Sequence, residues 1–262
     1  MKKLAIILTL IFLVLVGIYF FLLKPEKYTE DDLYEEILKR GTIKVGINTD
    51  SKPFGFFDEN WQIQGYDADL ARYIAQYLLK SPNAVEFIPV TPENRMLKVS
   101  TGDVDIAIAT MTITPQREEI IDFSIPYDMA GQALLVRSNS KIVSIADLNG
   151  LNVGVVFGTT AEKNMMSLAP TSHIIGFRNY RSAYEALKAG KIDALTSDDT
   201  ILSHFAYEDK SVKLLPKRYT KEPYGIAIRK GKSTKRLKDN IDFAIKDMQR
   251  KNVILRLHRK WL

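Results

Sequence analysis

Leu97-Lys98-Val99-Ser100-Thr101-Gly102-Asp103-Val104-Asp105-Ile106-Ala107 is echoed later in the chain by Leu187-Lys188-Ala189-Gly190-Lys191-Ile192-Asp193-Ala194-Leu195. Each stretch reads as a helix end, a glycine that stops it, a short loop, an aspartate and a buried strand. A helix-to-strand connection of this kind also recurs by chance. With the alternation on either side of it, the echo predicts two similar α/β lobes, one copy in each.

Working outward, β-rich runs alternate with helical spacing. Strands are expected at 42–48, 85–90, 104–109, 132–137, 151–157, 194–196 and 225–229. Helices are expected at 67–80 (through Leu70, Ile74, Tyr77 and Leu78), 94–100, 115–119 with Pro115 first, 144–148, 181–189 and 200–206, then 233–251 and 254–261 at the end. Such alternation predicts an α/β fold with mostly parallel pairing. Ligands of open α/β sheets sit beyond the carboxyl ends of strands, so the loops after 48, 109, 157 and 196 are the ones to read.

Composition narrows the class. The chain has 262 residues, 46% hydrophobic and 26% charged, with no cysteine. That excludes a disordered or collagen-like chain and a multi-pass membrane protein. It also excludes a disulfide scaffold, a Cys-bearing zinc site, a cysteine nucleophile and an acylated lipobox. The net charge of +6 is a mild, scattered excess apart from a denser C-terminal stretch, so no nucleic-acid partner is expected. His173, His204 and His258 share no metal-ligand spacing. No nucleophile elbow, phosphate loop, zinc helix or dinucleotide fingerprint is present. Neither a metal nor a cofactor is expected.

The N-terminus reads as an address. Met1-Lys2-Lys3 precedes twenty uncharged, mostly apolar residues, Leu4 to Leu23, and at 1.5 Å each these span about 30 Å, a bilayer core. The bulky exit Tyr19-Phe20-Phe21-Leu22-Leu23 offers no small-residue cleavage site. An uncleaved anchor over 1–24 fits better than a cleaved signal; either way residues 25–262 are exported. Thr29 and Asp32 resemble a capping box that opens a juxtamembrane helix over 25–40.

The four loops carry convergent polar chemistry. Thr110-Met111-Thr112-Ile113-Thr114-Pro115-Gln116-Arg117 offers hydroxyls, an N-cap at Thr114 and a guanidinium fork that matches a carboxylate. Gly158-Thr159-Thr160 is an anion-binding arrangement at a helix start. In Ser197-Asp198-Asp199-Thr200 a carboxylate either holds an ammonium or caps the next helix. Asn48-Thr49-Asp50-Ser51-Lys52-Pro53-Phe54 follows the first strand. An anion site facing a cation site across a cleft suits a zwitterion. Taken alone, however, Arg117 reads as a surface salt-bridge partner, and Asp105 and Asp193 as local structure.

Further motifs carry a resemblance. Gly41-Thr42-Ile43-Lys44-Val45-Gly46, Pro53-Phe54 and Gly65-Tyr66-Asp67-Ala68-Asp69-Leu70-Ala71 resemble the opening of the extracellular solute-binding proteins of family 3, the polar amino-acid receptors of ABC importers. Asp103-Val104-Asp105, Thr110 to Arg117 and Ile121-Asp122-Phe123-Ser124-Ile125-Pro126-Tyr127 are similar to its middle. Asp147-Leu148-Asn149-Gly150, Gly158-Thr159-Thr160, Asp193-Ala194, Pro223-Tyr224-Gly225-Ile226-Ala227 and Arg259-Lys260-Trp261 are similar to its second half. Ala68 departs from the larger aliphatic residue usual there. The resemblance spans about 33–262 and reverses the reading of Arg117.

It implies a two-lobed, type II periplasmic-binding-protein-like fold, with lobe 1 over 41–133 and 225–262, lobe 2 over 134–224, and crossings near Leu134–Ser138 and Lys221–Gly225. It implies that Arg117 clamps the ligand's α-carboxylate, with Thr112 and, from lobe 2, Thr160 donating to it, while Thr110 and Asp198 take the α-ammonium. Glu93-Asn94-Arg95 resembles acidic amino-acid receptors, so Arg95 points to glutamate or aspartate; Asn48 and Ser197, being neutral, leave glutamine or asparagine open. Ser51 stands where some relatives place a ring that packs on the ligand, for which Phe54 or Phe57 compensates. Gly158 and Thr159 complete the candidate set. The partners implied are an amino acid, a membrane permease and, through residues 4–23, the membrane. Two other uses of the fold are a receptor for a separate signalling partner and a dehydratase-like enzyme with Glu93 or Glu162 as general acid.

Overall fold

The computed structural model describes Phe12 and residues 32–262. The expected span at 4–23 and Thr29 lie outside the described residues, Phe12 aside; among the described residues no helix is long and apolar enough to cross a membrane. Helix α1 (Leu33–Arg40) opens at Asp32, whose carboxylate accepts the Tyr34 N–H. Asp32 is thus itself the N-cap rather than the third helical residue of a box begun at Thr29, because its side chain reaches a first-turn N–H that the helix leaves open.

Strand β1 (Ile43–Asn48) is buried on both faces, as a central strand covered by helices must be. It pairs in parallel with β5 (Val85–Val90) and β6 (Ile106–Ala107). Helix α2 (Tyr66–Leu79) connects β1 towards β5, and α3 (Arg95–Thr101) connects β5 to β6. Two return strands, β7 (Ile121–Phe123) and β15 (Ala227–Arg229), complete the order β5-β1-β6-β15-β7. The second sheet repeats this strand for strand. Its β10 (Asn152–Val156) pairs in parallel with β11 (His173–Phe177) and β12 (Ala194–Asp198). Helices α5 (Thr160–Leu168) and α6 (Tyr180–Lys188) make the crossovers, and β9 (Gln132–Arg137) and β13 (Val212–Leu214) complete the order β11-β10-β12-β9-β13.

The echo between 97–107 and 187–195 is a shared piece of carpentry. The Asp105 carboxylate accepts the Lys44 N–H at 2.7 Å, while the Asp105 N–H donates to the Lys44 carbonyl. The Asp193 carboxylate accepts the Asn152 N–H at 2.9 Å, and the Asp193 N–H donates to the Asn152 carbonyl. Each aspartate pins the start of its own strand to the start of the neighbouring one. Gly102 and Gly190 precede them at φ 81° and 73°, a left-handed turn that costs glycine little.

A two-stranded ribbon, β8 (Asp128–Ala130) with β14 (Glu222–Tyr224), lies where the chain passes between the sheets. Of Leu134–Ser138, expected at the first crossing, all but Ser138 is part of β9, where Leu134, Leu135 and Val136 are fully buried core. A small sheet of β2 (Asp50–Ser51), β3 (Gly55–Phe57) and β4 (Ile63–Gln64) follows β1. Helices α4 (Pro115–Glu118), α7 (Asp199–Glu208), α8 (Lys235–Arg250) and α9 (Val253–Trp261) finish the chain. The last two present Leu237, Ile241, Ile245 and Leu257 to the core cluster that also holds Leu70 and Ile74 of α2.

Candidate functional site

The strand ends of the first sheet carry the cations. Asn48 ends β1, fully buried, and its Nδ2 donates to the Ala109 carbonyl at 3.3 Å and approaches the Thr110 hydroxyl at 3.5 Å. Arg95 is the first residue of α3, 2% exposed. Its Nη1 donates to the Ala109 carbonyl and, at 3.2 Å, to the Thr110 carbonyl. Both carbonyls are available because Thr110 sits at φ 47°, outside the extended region, so the chain leaves the ladder after Ala107. Two buried polar atoms here have no hydrogen-bond partner, Asn48 Oδ1 and Arg95 Nε.

Thr114 caps α4 by accepting the Arg117 N–H at 3.3 Å. The Arg117 guanidinium donates to the Thr112 carbonyl at 2.8 Å and to the Gly158 carbonyl at 2.9 Å. Burial, with Arg95 nearby, pushes it down to about 10. It still carries its charge at neutral pH, and it reaches from one sheet's loops to the other's.

The strand end of the second sheet carries the anion. Asp198 ends β12 and stands at the N-cap position of α7, yet its side chain caps nothing. Its Oδ2 instead accepts the Tyr224 hydroxyl at 2.6 Å. Burial pushes this carboxyl up to about 7, although the Tyr224 hydrogen bond and the charge of Arg95 oppose the rise. Ser197 beside it is buried. Thr160 opens α5, but its hydroxyl is taken by Glu222 at 3.0 Å. The Thr159 hydroxyl turns back to the Val156 carbonyl at 2.7 Å, so no side chain caps the first turn of α5. Backbone N–H groups, not the two hydroxyls, are what this helix start offers to an anion.

The two halves touch. Asp50 of the first accepts the Tyr180 N–H of the second at 3.3 Å. Gly158, at φ 76°, packs so closely that a Cβ there would lie 2.4 Å from the Pro92 carbonyl oxygen; only glycine fits the approach.

Asn48, Arg95 and Thr110 are joined by direct contacts, as are Thr112, Arg117 and Gly158; Thr112 bridges to Tyr224, which meets Asp198, next to Ser197, while Thr160, next to Thr159, meets Glu222 of the same strand. Ser51 is buried in β2 and contacts Asp50. Phe54 is fully buried edge-on to Tyr66 and Tyr224, part of the ring cluster from which Tyr224 reaches Asp198. Phe57 pairs with Trp61 on the small sheet. Tyr180 and Glu222 stand in no quoted motif, and Asp50 and Tyr224 stand in quoted stretches without a role, because each acts on a partner remote in the chain. Among the described residues no group of three or more His, Cys, Asp or Glu is placed to hold a metal.

Known proteins share this architecture. The ABC transporter glutamine-binding protein of Bacillus subtilis is 38% identical over 91% of this chain and 88% of its own length. The glutamine-binding protein of Geobacillus stearothermophilus is 41% identical over 73% of this chain and 74% of its own. The crystal structure of the cysteine-binding protein of Campylobacter jejuni superposes with a TM-score of 0.84 at 30% identity, covering 88% of this chain and 93% of that one. The fold is the two-lobed, type II binding-protein fold. The model of the bacterial extracellular solute-binding proteins, family 3, matches residues 43–262, and the chain belongs to that family.

Proposed function

We propose that the chain is the extracytoplasmic receptor of an ABC importer and that its ligand is a polar amino acid with a side-chain amide, glutamine before asparagine. In this reading Arg117, the Thr112 backbone and the start of α5 hold the α-carboxylate, and Asp198 with the Thr110 carbonyl holds the α-ammonium. The lobes divide at the β8–β14 ribbon and close on the ligand as a hinge. The apolar stretch 4–23 tethers the receptor beside its permease and raises its effective concentration there. In this reading the site binds without turnover; Glu93 and Glu162 both keep contact with solvent, whereas general acid work near neutral pH calls for a carboxyl raised by burial and its neighbours.

One observation carries the choice of side chain. Asn48 and Arg95 both donate to the Ala109 carbonyl, which fixes the direction of the Asn48 amide. It leaves a lone acceptor, Asn48 Oδ1, and a lone donor, Arg95 Nε, on two side chains that share that carbonyl. A carboxamide supplies one donor group and one acceptor, and so satisfies both. A carboxylate satisfies Arg95 but sets oxygen against the Asn48 oxygen. Each buried polar atom left unmatched costs about 1–3 kcal/mol. Glutamine is also what the Bacillus subtilis relative is named for.

Titration calorimetry on protein unfolded and refolded to strip carried-over ligand tests the reading. Glutamine is expected to bind at micromolar Kd or tighter and glutamate at least about tenfold more weakly. Asn48→Ala narrows that ratio, because the oxygen that rejects a carboxylate is gone. Glutamate binding above glutamine would sink the amide assignment alone; no heat with any amino acid would sink the receptor reading.

A further inference from the structure

Asp67 stands in the first turn of α2, fully buried, and does not cap that helix. Both of its oxygens reach elsewhere. Oδ2 accepts the Thr110 N–H at 3.1 Å, and Oδ1 accepts the Tyr127 hydroxyl at 3.1 Å. Burial pushes the carboxyl up to about 7, against these two donors. A buried carboxylate retained in this way needs a reason beyond stability, since a buried charge is costly.

The reason lies in what Thr110 does. A non-glycine residue at φ 47° is strained, because its Cβ crowds the backbone. That conformation turns the Thr110 carbonyl to Arg95 and sets its hydroxyl beside Asn48. Released from it, the chain would continue as a strand, as β12 does at the matching point of the second sheet. The second contact leads to the hinge: Tyr127 immediately precedes β8, and its N–H donates to the Tyr224 carbonyl at 2.9 Å.

We infer that Asp67 is a positioning residue for ligand binding: its carboxylate holds Thr110 in the left-handed turn that aligns Asn48 and Arg95, and ties that turn to the root of the hinge. The inference rests on the cleft being the ligand site. It assigns Asp67 no contact with the ligand.

A thermodynamic cycle separates positioning from general support of the fold. In Asp67→Asn the amide oxygen accepts from only one of the two donors, and glutamine affinity falls about tenfold or more. Thr110→Gly loses the hydroxyl but enters φ > 0 freely, so alone it costs a few-fold. In the double variant the two losses do not multiply: glycine needs no hold, and the affinity stays near that of Thr110→Gly alone. Losses that multiply, or an Asp67→Asn that binds like the wild type, overturn the inference. The Thr110 amide in the unmutated, ligand-free protein gives a second readout should Asp67→Asn not fold. Its hydrogen exchange is expected to be slow although it belongs to no ladder, and rapid exchange overturns the inference. Binding of glutamine to the wild type is the separate control for the receptor reading itself.

Discussion

Thr110 and Asp198 occupy the same point of two matching sheets. Each lies five residues after the aspartate that pins its strand, Asp105 in one case and Asp193 in the other, and those strands, β6 and β12, flank β1 and β10 in the same way. The outcomes are opposite. Asp198 remains extended, at φ −65° and ψ 132°, so β12 runs its full length and delivers a carboxylate. Thr110 turns left-handed, β6 stops early, and the exposed carbonyls gather two cationic or amide side chains. One backbone plan thus presents a carboxylate at one strand end and an arginine beside the other. In the proposed reading this difference sets which way round a zwitterion lies between them.

Removing the cation breaks the comparison most severely. Arg117→Ala takes away a guanidinium that reaches from Thr112 to Gly158 of the other half, and glutamine affinity is expected to fall by about a thousandfold or more, as charge-assisted bidentate bonds imply. Calorimetry reads it directly; a loss under tenfold would remove Arg117 from the ligand.

The anionic side is tested by pH. An ammonium needs the ionised form of Asp198, whose carboxyl burial pushes up to about 7. Above that value the carboxylate is already ionised, so affinity is flat. Below it the ligand must displace a proton, and affinity falls as pH drops from 7 towards 5, by up to about tenfold per unit. Uptake of ligand at pH 6 then releases a proton, visible as a dependence of the binding heat on the buffer's ionisation enthalpy. Asp198→Asn weakens binding and flattens the profile; a slope that persists in that variant would locate the titration elsewhere, with Asp67 first in line.

The smallest effects belong to the shared scaffold. Asp105→Asn and Asp193→Asn each disturb a strand-pinning contact far from the ligand, for about 1–2 kcal/mol of stability and no change in Kd. Asp105 pairs with Arg40 through a direct hydrogen bond, whereas Asp193 faces Arg137 at 3.6 Å, so the Asp105 variant should show the lower Tm. Equal Tm values would mean that the Arg40 pair contributes no more than the Arg137 pair.

Much of the fold was legible because it is periodic. Strands 85–90 and 132–137 end where their patterns end, and the repeated glycine-aspartate connection revealed the second copy of the sheet. The early stop of β6 was not legible: Ile108 and Ala109 read as strand, and only the distant Asp67 carboxylate and the carbonyl-seeking Arg95 explain the turn at Thr110. The candidate site is located by motif rather than by physics. On its residues alone Arg117 reads as a surface ion-pair partner and Asp198 stays open between an ammonium partner and a helix cap, because the groups they meet, Gly158 and Tyr224, lie far along the chain. Glu222, which takes Thr160, Asn164 and Thr220, left no local signature at all.

The two sheets differ in one more respect, which bears on how the chain reaches its fold. The second is built from a continuous run, 132–214. The first is interrupted: β15 lies between β6 and β7, and β7 has its ladder with β15. As the polypeptide emerges from N- to C-terminus, β7 must wait about a hundred residues for its neighbour, while everything the second sheet requires has already arrived. The half that is begun first is finished last, when residues 227–229 slide into a slot between strands made long before.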